Sequence, residues 1–218
     1  MRLALQAGCR GRRGLTTRGE KTRRRIVEKA ARVFNTKGYF GSSMSDLVRE
    51  IGLEKGGIYN HFASKEELAL EAFDYAAGNM RERFREALEG KEGALERLFA
   101  FVDVVGGLAE DPPVAGGCPV LNTAVESDDA HMKLKDRARE AMSGWLRLIG
   151  SVIKEGVRNG EIRPGTNPRE TASVVVATLE GAVMLSRLYD DPVYMKRSVN
   201  HLKEHLRSLV WDPARGGA

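Results

Sequence analysis

Apolar residues in this chain recur every three or four positions in run after run, and convincing alternation by two is absent beyond a few residues. That spacing places side chains on one face of an α-helix and does not suit a half-buried strand. Residues 22–37 carry Ile26, Val27, Ala30, Ala31 and Phe34 on such a stripe, with Arg23, Arg24, Glu28, Lys29 and Arg32 elsewhere and Gly38 as a stop. Leu68, Ala72, Tyr75, Ala76 and Met80 repeat the pattern in residues 64–89. So do Leu95, Leu98, Phe99, Val102, Val105 and Leu108 in residues 94–110. A long run over residues 128–159 holds Leu134, Ala138, Met142, Trp145, Ile149, Val152 and Ile153, with Asp128 or Asp129 as the expected cap. Start signals punctuate the runs. Ser43-Met44-Ser45-Asp46 is a variant capping box, and Ser64-Lys65-Glu66-Glu67 is a full one. Asn167-Pro168-Arg169-Glu170 pairs a cap with proline at the first helical position, and Pro192 opens the last run. Aromatic residues are only 6% of the chain, which further disfavours strands. The expected fold class is all-α.

Charge is distributed unevenly. Residues 1–65 hold fifteen Lys or Arg against five acids, a net +10, whereas the remainder holds 20 bases and 25 acids. A basic leading end on a mildly acidic body points to a polyanion partner for that end, with a solubilising tail as the alternative. Residues 1–19 read as a disordered basic arm. The opening resembles a lipoprotein signal only loosely, because Gln6 breaks a short apolar run. The two cysteines, Cys9 and Cys118, cannot build a disulfide framework, so a cytoplasmic location is expected. No uninterrupted run approaches the roughly 18 apolar residues of a membrane span.

Residues 43–62 carry the most specific signal. Two short helices flank Gly52-Leu53-Glu54, the layout of a helix-turn-helix. Gly52 supplies the positive φ that the turn needs, and Leu53 and Ile58 can pin the second helix on the first. Lys55, Gly56, Gly57, Tyr59, Asn60 and His61 then face outward. Two successive glycines are poor helix formers, costing about 1 kcal/mol each relative to alanine. At a helix N-terminus they permit the backbone to approach DNA, where the first residues of the second helix reach base edges.

At these residues the chain resembles the TetR family. The resemblance runs without a gap over residues 25–68, through Ala30-Ala31, Phe34, Gly38-Tyr39, Ser42-Ser43-Met44, Asp46-Leu47, Gly52-Leu53, Lys55-Gly56-Gly57-Ile58-Tyr59-Asn60-His61-Phe62 and Ser64-Lys65-Glu66-Glu67-Leu68. Two features depart from the family pattern. Glu54 stands where Ser or Thr usually caps the recognition helix, and Val48 and Ile51 are bulkier than the common alanines. The resemblance implies phosphate contacts from Ser43, Tyr59, His61 and Lys65, and base-facing roles for Lys55, Gly56, Gly57 and Asn60. These types suit the tasks, since hydroxyls and lysines position a protein on DNA while Asn pairs with adenine. The plain readings are a partly buried ring for Tyr59, a surface histidine for His61 and a solvated charge for Lys55.

The resemblance also implies a domain layout: a three-helix helix-turn-helix domain over residues 20–66, then a helical ligand-binding and dimerisation domain over residues 67–218. A subset of the family has a stretch like Gly117-Cys118-Pro119, Asn122, Ala124 and Glu126. The last two helices would pair with a second subunit, with Val175, Val176, Leu179, Ala182, Val183, Leu206 and Leu209 as candidates for the seam. The alternative is that these faces pack inside one subunit. Candidates for an effector pocket are Phe101, Val105, Cys118, Leu121, Asn122, Trp145, Ile149, Glu180 and Met184. Cys118 near a helix start raises a second sensing mechanism, redox or electrophile chemistry, against the plain reading of a small buried hydrophobe.

These features point to a transcriptional regulator rather than an enzyme, and the resemblance implies a homodimer on a palindromic double-stranded operator, released by a small-molecule effector, with repression as the family's usual output and activation as the alternative. No cofactor, metal site or membrane partner is expected. An enzyme would need Cys118 with His131, His61, His201 or His205, but no nucleophile motif, metal spacing or phosphate loop supports one. His201 and His205 lie four apart without the flanking pattern of a zinc helix. A helical interaction module would leave Gly56 and Gly57 unexplained.

Overall fold

The computed structural model describes residues 17–212. Among them the chain forms α1 (Arg18–Lys37), α2 (Met44–Ile51), α3 (Lys55–Tyr59), α4 (Lys65–Leu88), α5 (Ala94–Gly106), α6 (Pro119–Ser127), α7 (Met132–Arg158), α8 (Pro168–Leu188) and α9 (Val193–Ser208). A 3-10 turn, Gly107–Ala109, prolongs α5, and one isolated antiparallel bridge joins Ile162 to Val210. The all-α expectation holds.

The first helix starts four residues before the apolar stripe suggested. The Thr17 hydroxyl accepts from the Glu20 N–H at 3.2 Å, and the Glu20 carboxylate accepts from the Thr17 N–H at 2.6 Å. This reciprocal box places Arg18 and Gly19 in α1 rather than in the expected arm. The rest of that arm, residues 1–16, lies outside the described residues. Neither Asp128 nor Asp129 caps α7. The His131 Nδ1 does, accepting from the Leu134 N–H at 3.2 Å.

Two cores share one helix. Ile26, Leu47, Ile51, Ile58, Phe62 and Leu68 make the first, closed by Ala72 and Ala76 of α4. Phe73, Ala77, Met80 and Phe84, on the adjoining face of α4, enter the second, where α5, α7, α8 and α9 meet. The (i, i+4) spacing of both sets makes α4 a rod common to the two. Burying each large apolar side chain contributes on the order of 1.5–3 kcal/mol.

α8 is more apolar than the sequence reading allowed. Its best 18-residue window has a mean hydropathy of 1.3, enough for a membrane span by length and composition, with 44% of that window buried in the fold. The proposed seam residues Val175, Val176, Leu179, Ala182, Val183, Leu206 and Leu209 are all buried in the subunit's own core, which corrects that assignment. α8 is apolar on most of its circumference, so periodicity could not separate the inward face from the outward one. The outward stripe is Val174, Ala177, Met184 and Leu188, with Gly181 half-buried between them.

Candidate nucleic-acid interface

The helix-turn-helix is assembled by caps and one left-handed residue. The Ser43 hydroxyl accepts from the Asp46 N–H at 3.1 Å, and the Asp46 carboxylate accepts from the Ser43 N–H at 2.9 Å and the Ser43 hydroxyl at 2.6 Å. Hydrogen bonds from Lys37 and Ser43 hold the Asp46 carboxyl well below the usual carboxylate range. Gly52 sits at φ 73° and ψ 33°, and its N–H donates to the Val48 carbonyl at 2.9 Å. A side chain there would be strained, so the turn requires glycine. Ile58 and Phe62, each 1% exposed, anchor α3 and the segment after it in the first core.

α3 is only five residues long, and Glu54 gives it no side-chain cap. It ends at Tyr59, with Asn60 as its C-cap, short of the expected Phe62. Lys55, Gly56, Tyr59 and Asn60 are exposed, and Gly57 and His61 are half-buried on the same short segment. The Lys55 ammonium lies 5.8 Å from the centre of the Tyr59 ring. Neither Gly56 nor Gly57 has a positive φ. A methyl group on Gly56 would meet nothing within 4 Å, and one on Gly57 would touch only the Leu53 Cβ at 3.7 Å. The described residues therefore give no steric reason for either glycine.

Ser43 and Lys65 are more committed than the sequence implied. The Ser43 hydroxyl is closed onto Asp46. The Lys65 ammonium donates to the Tyr39 and Ser42 carbonyls and lies 4.3 Å from the centre of the Tyr39 ring. Burial lowers its pKa. Two of its three N–H groups are thereby engaged within the head.

A network of amides and carboxylates ties this head to the helical body. The buried Asn35 side chain donates to the Ala115 carbonyl at 3.0 Å and the Gly117 carbonyl at 3.2 Å. The Asn122 amide of α6 donates to the Asn35 Oδ1 at 2.9 Å and the Gly116 carbonyl at 2.8 Å. Glu126, one turn further, accepts from the backbone N–H groups of Tyr39 at 2.7 Å and Phe40 at 2.8 Å. Gly38 has φ 78°, and a Cβ there would strike the Glu126 carboxylate. Asn122 therefore fastens the two cores together. The sequence reading gave no such role to Asn35 or Glu126, because their partners lie about 80 residues away.

The nine candidate pocket residues fall into three places. Phe101, Val105 and Ile149 are packed into the second core, and Trp145 stands edge-on to Phe84 and Phe101 at 5.2 and 6.0 Å between ring centres. Cys118 and Glu180 form a buried pair, the thiol donating to the carboxylate at 3.0 Å. Burial pushes the Glu180 carboxyl up to about 7, the hydrogen bond from Cys118 partly offsetting it, and the second carboxylate oxygen has no hydrogen-bond partner among the described residues. Leu121, Asn122 and Met184 border a separate groove of 560 Å³ among α1, α6 and α8. Met184 is 53% exposed. A larger groove of 730 Å³ runs between α4 and α7, with Trp145 in its wall. The sequence reading passed over two of its wall residues, Gly78 and Gly144, although a glycine inside a long helix was a signal that could have marked them.

A helix-turn-helix head with an exposed, glycine-started second helix, fastened to a helical body, defines a DNA-binding transcriptional regulator. Residues 26–72 match the family described as bacterial regulatory proteins, tetR family, and residues 94–202 match the tetracyclin repressor-like C-terminal domain. The chain belongs to the TetR family. It is 44% identical to a TetR transcriptional regulator from Chloroflexus aurantiacus, whose crystal structure superposes with a TM-score of 0.86 over 88% of this chain and 98% of that one. A TetR-family regulator from Cytophaga hutchinsonii is 32% identical, with a TM-score of 0.81 over 90% of this chain and 98% of that one. Among curated relatives, the fatty acid metabolism regulator protein of Bacillus subtilis is 26% identical over 159 residues, 72% of this chain and 79% of its own.

Proposed function

We propose that the chain is a cytoplasmic repressor that holds palindromic operator DNA as a homodimer and lets go when a small molecule binds its helical body. The observation that carries this reading is the pair Gly56 and Gly57. They weaken α3, they are not required by φ, and a methyl group at either position would find room inside the subunit. A cost of about 1 kcal/mol each is explained if something outside the subunit needs the space, and the backbone and edges of duplex DNA meet that description. Tyr59, Asn60, Lys55 and His61 supply phosphate and base contacts around them.

The exposed stripe on α8 supports the dimer. Val174, Met184 and Leu188 are 49%, 53% and 67% exposed, and the small residues Ala177 and Gly181 between them permit close approach of a second α8. Effector binding can act on the head because α4 runs through both cores and α6 holds the head through Asn122 and Glu126. The Cys118 alternative draws no support from the geometry. Burial and the neighbouring Glu180 hold the thiol well above its usual pKa, whereas the reactive form is the thiolate.

The test is fluorescence anisotropy with duplex from the upstream region of the gene, across a salt series, beside light scattering. Expected are a dimer, affinity for upstream duplex above that for random duplex, and a steep fall with salt. Tyr59→Ala weakens binding. Equal affinity for random duplex, or a monomer at micromolar concentration, refutes the reading.

A further inference from the structure

The α4–α7 groove has the chemistry of a receptor for one class of small molecule. Its apolar side is built from Phe73, Phe84, Trp145 and Leu148. On each helix a glycine is followed three residues later by an arginine, Gly78 with Arg81 and Gly144 with Arg147, and all four line the groove. That spacing puts each pair on one helical face. A Cβ on Gly78 or Gly144 would meet nothing within 4 Å. Two glycines inside long helices, each costing about 1 kcal/mol, thus widen a groove that no atom of the described residues fills.

The polar side carries positive charge. Of the four arginines in the lining, Arg137 is paired with Asp74 at 2.8 Å and Arg85 with Glu82 at 2.6 Å. Arg81 and Arg147 are exposed and make no ion pair among the described residues, and the acid left in the lining is the exposed Glu140. At 730 Å³ the groove is within the usual size of small-molecule sites.

We infer that the α4–α7 groove binds an amphipathic anion, its apolar body on Phe84 and Trp145 and its anionic head between Arg81 and Arg147. This rests on the proposed release of DNA by an effector, and names the effector's chemistry and seat. The seat suits that role. Lys133 and Arg137 of α7 hold Glu66 and Asp74 of α4 at 2.8 Å each, so a body wedged beside these pairs bears on the helix that also serves the first core.

Calorimetry on the full chain tests this with three probes, decanoate, decyltrimethylammonium and acetate. Decanoate is expected to bind at least tenfold more tightly than either of the others. Gly144→Leu, which fills the groove with a better helix former, and the double change Arg81→Glu with Arg147→Glu each reduce decanoate affinity at least tenfold. Helical circular dichroism confirms that the variants fold, and Gly78→Leu serves if Gly144→Leu does not. Binding of the cation as tightly as decanoate, no decanoate binding at millimolar concentration, or full affinity in the leucine variant overturns the inference. The same samples separate it from the release step. Decanoate that binds in the groove without weakening the DNA complex upholds the site and defeats the release. DNA release that persists in Gly144→Leu defeats the site and leaves the release standing.

Discussion

Replacing Gly56 by alanine separates folding from DNA binding, because the two make opposite demands on that position. Gly56 is the second residue of α3, its φ is not positive, and the space around its Cα is open. Alanine therefore enters without strain and restricts the unfolded chain. In a helix interior the gain is about 1 kcal/mol, and in the first turn of a short helix we expect about 0.5–1 kcal/mol. For a chain of this size that raises the thermal midpoint by roughly 1–4 °C. The same methyl group projects from the exposed side of α3, where the backbone is proposed to meet duplex DNA. Affinity for the upstream duplex is expected to fall at least tenfold, about 1.4 kcal/mol. Circular dichroism melting reads the first quantity, and anisotropy at one fixed salt concentration reads the second. A Gly56→Ala protein that binds the duplex as tightly as wild type refutes the argument that DNA is what the glycine accommodates. A lower midpoint refutes the claim that the subunit has room for the methyl group.

Three further outcomes are expected. Glu180 has a folded-state pKa near 7, above the usual carboxylate value of 4.5, so the folded chain binds its proton more tightly than the unfolded chain does. Its contribution to stability is complete below about pH 4.5 and is lost as pH rises to about 7, a change on the order of 3 kcal/mol. Glu180→Gln flattens urea-measured stability across that window, and an unchanged slope contradicts the assignment. Met184→Asp places a charge on the outward stripe of α8 and is expected to yield monomers by light scattering, with DNA affinity lost and a lower melting midpoint that no longer rises with protein concentration; a persistent dimer moves the interface elsewhere. Glu126→Ala leaves the Tyr39 and Phe40 N–H groups without their charged acceptor and costs about 1.5–3 kcal/mol in denaturant unfolding. A cost below 0.5 kcal/mol (about the scatter of surface changes) denies the carboxylate its fastening role.

Local chemistry was the legible part of this sequence. Ser43, Ser64 and Asn167 each cap the helix they were expected to cap, and Gly52 makes the turn between α2 and α3. These devices act within four residues, so a linear reading contains them. Thr17 and Glu20 form an equally local box, which was passed over because the charge of the leading residues read as an unstructured arm. His131 escaped because a histidine ring nitrogen is an uncommon cap. Long-range pairings were not legible. Nothing local marks Asn35 as the partner of Asn122, or Cys118 as the donor to Glu180 across 62 positions. The seam on α8 failed for a different reason. When almost every face of a helix is apolar, the pattern tells how much is buried and not against what.

The fastening of the head by Asn35, Asn122 and Glu126 limits how this protein can move. Amide and carboxylate contacts below about 3 Å weaken steeply when stretched or tilted, so they do not yield by small degrees. A hinge of loose apolar contact would absorb a displacement of α6; this joint delivers it whole to the Tyr39 and Phe40 corner until it snaps. Contacts of this kind favour a seated head over a continuum of partly displaced ones, and a displacement of α6 is felt first at Asn122 and Glu126.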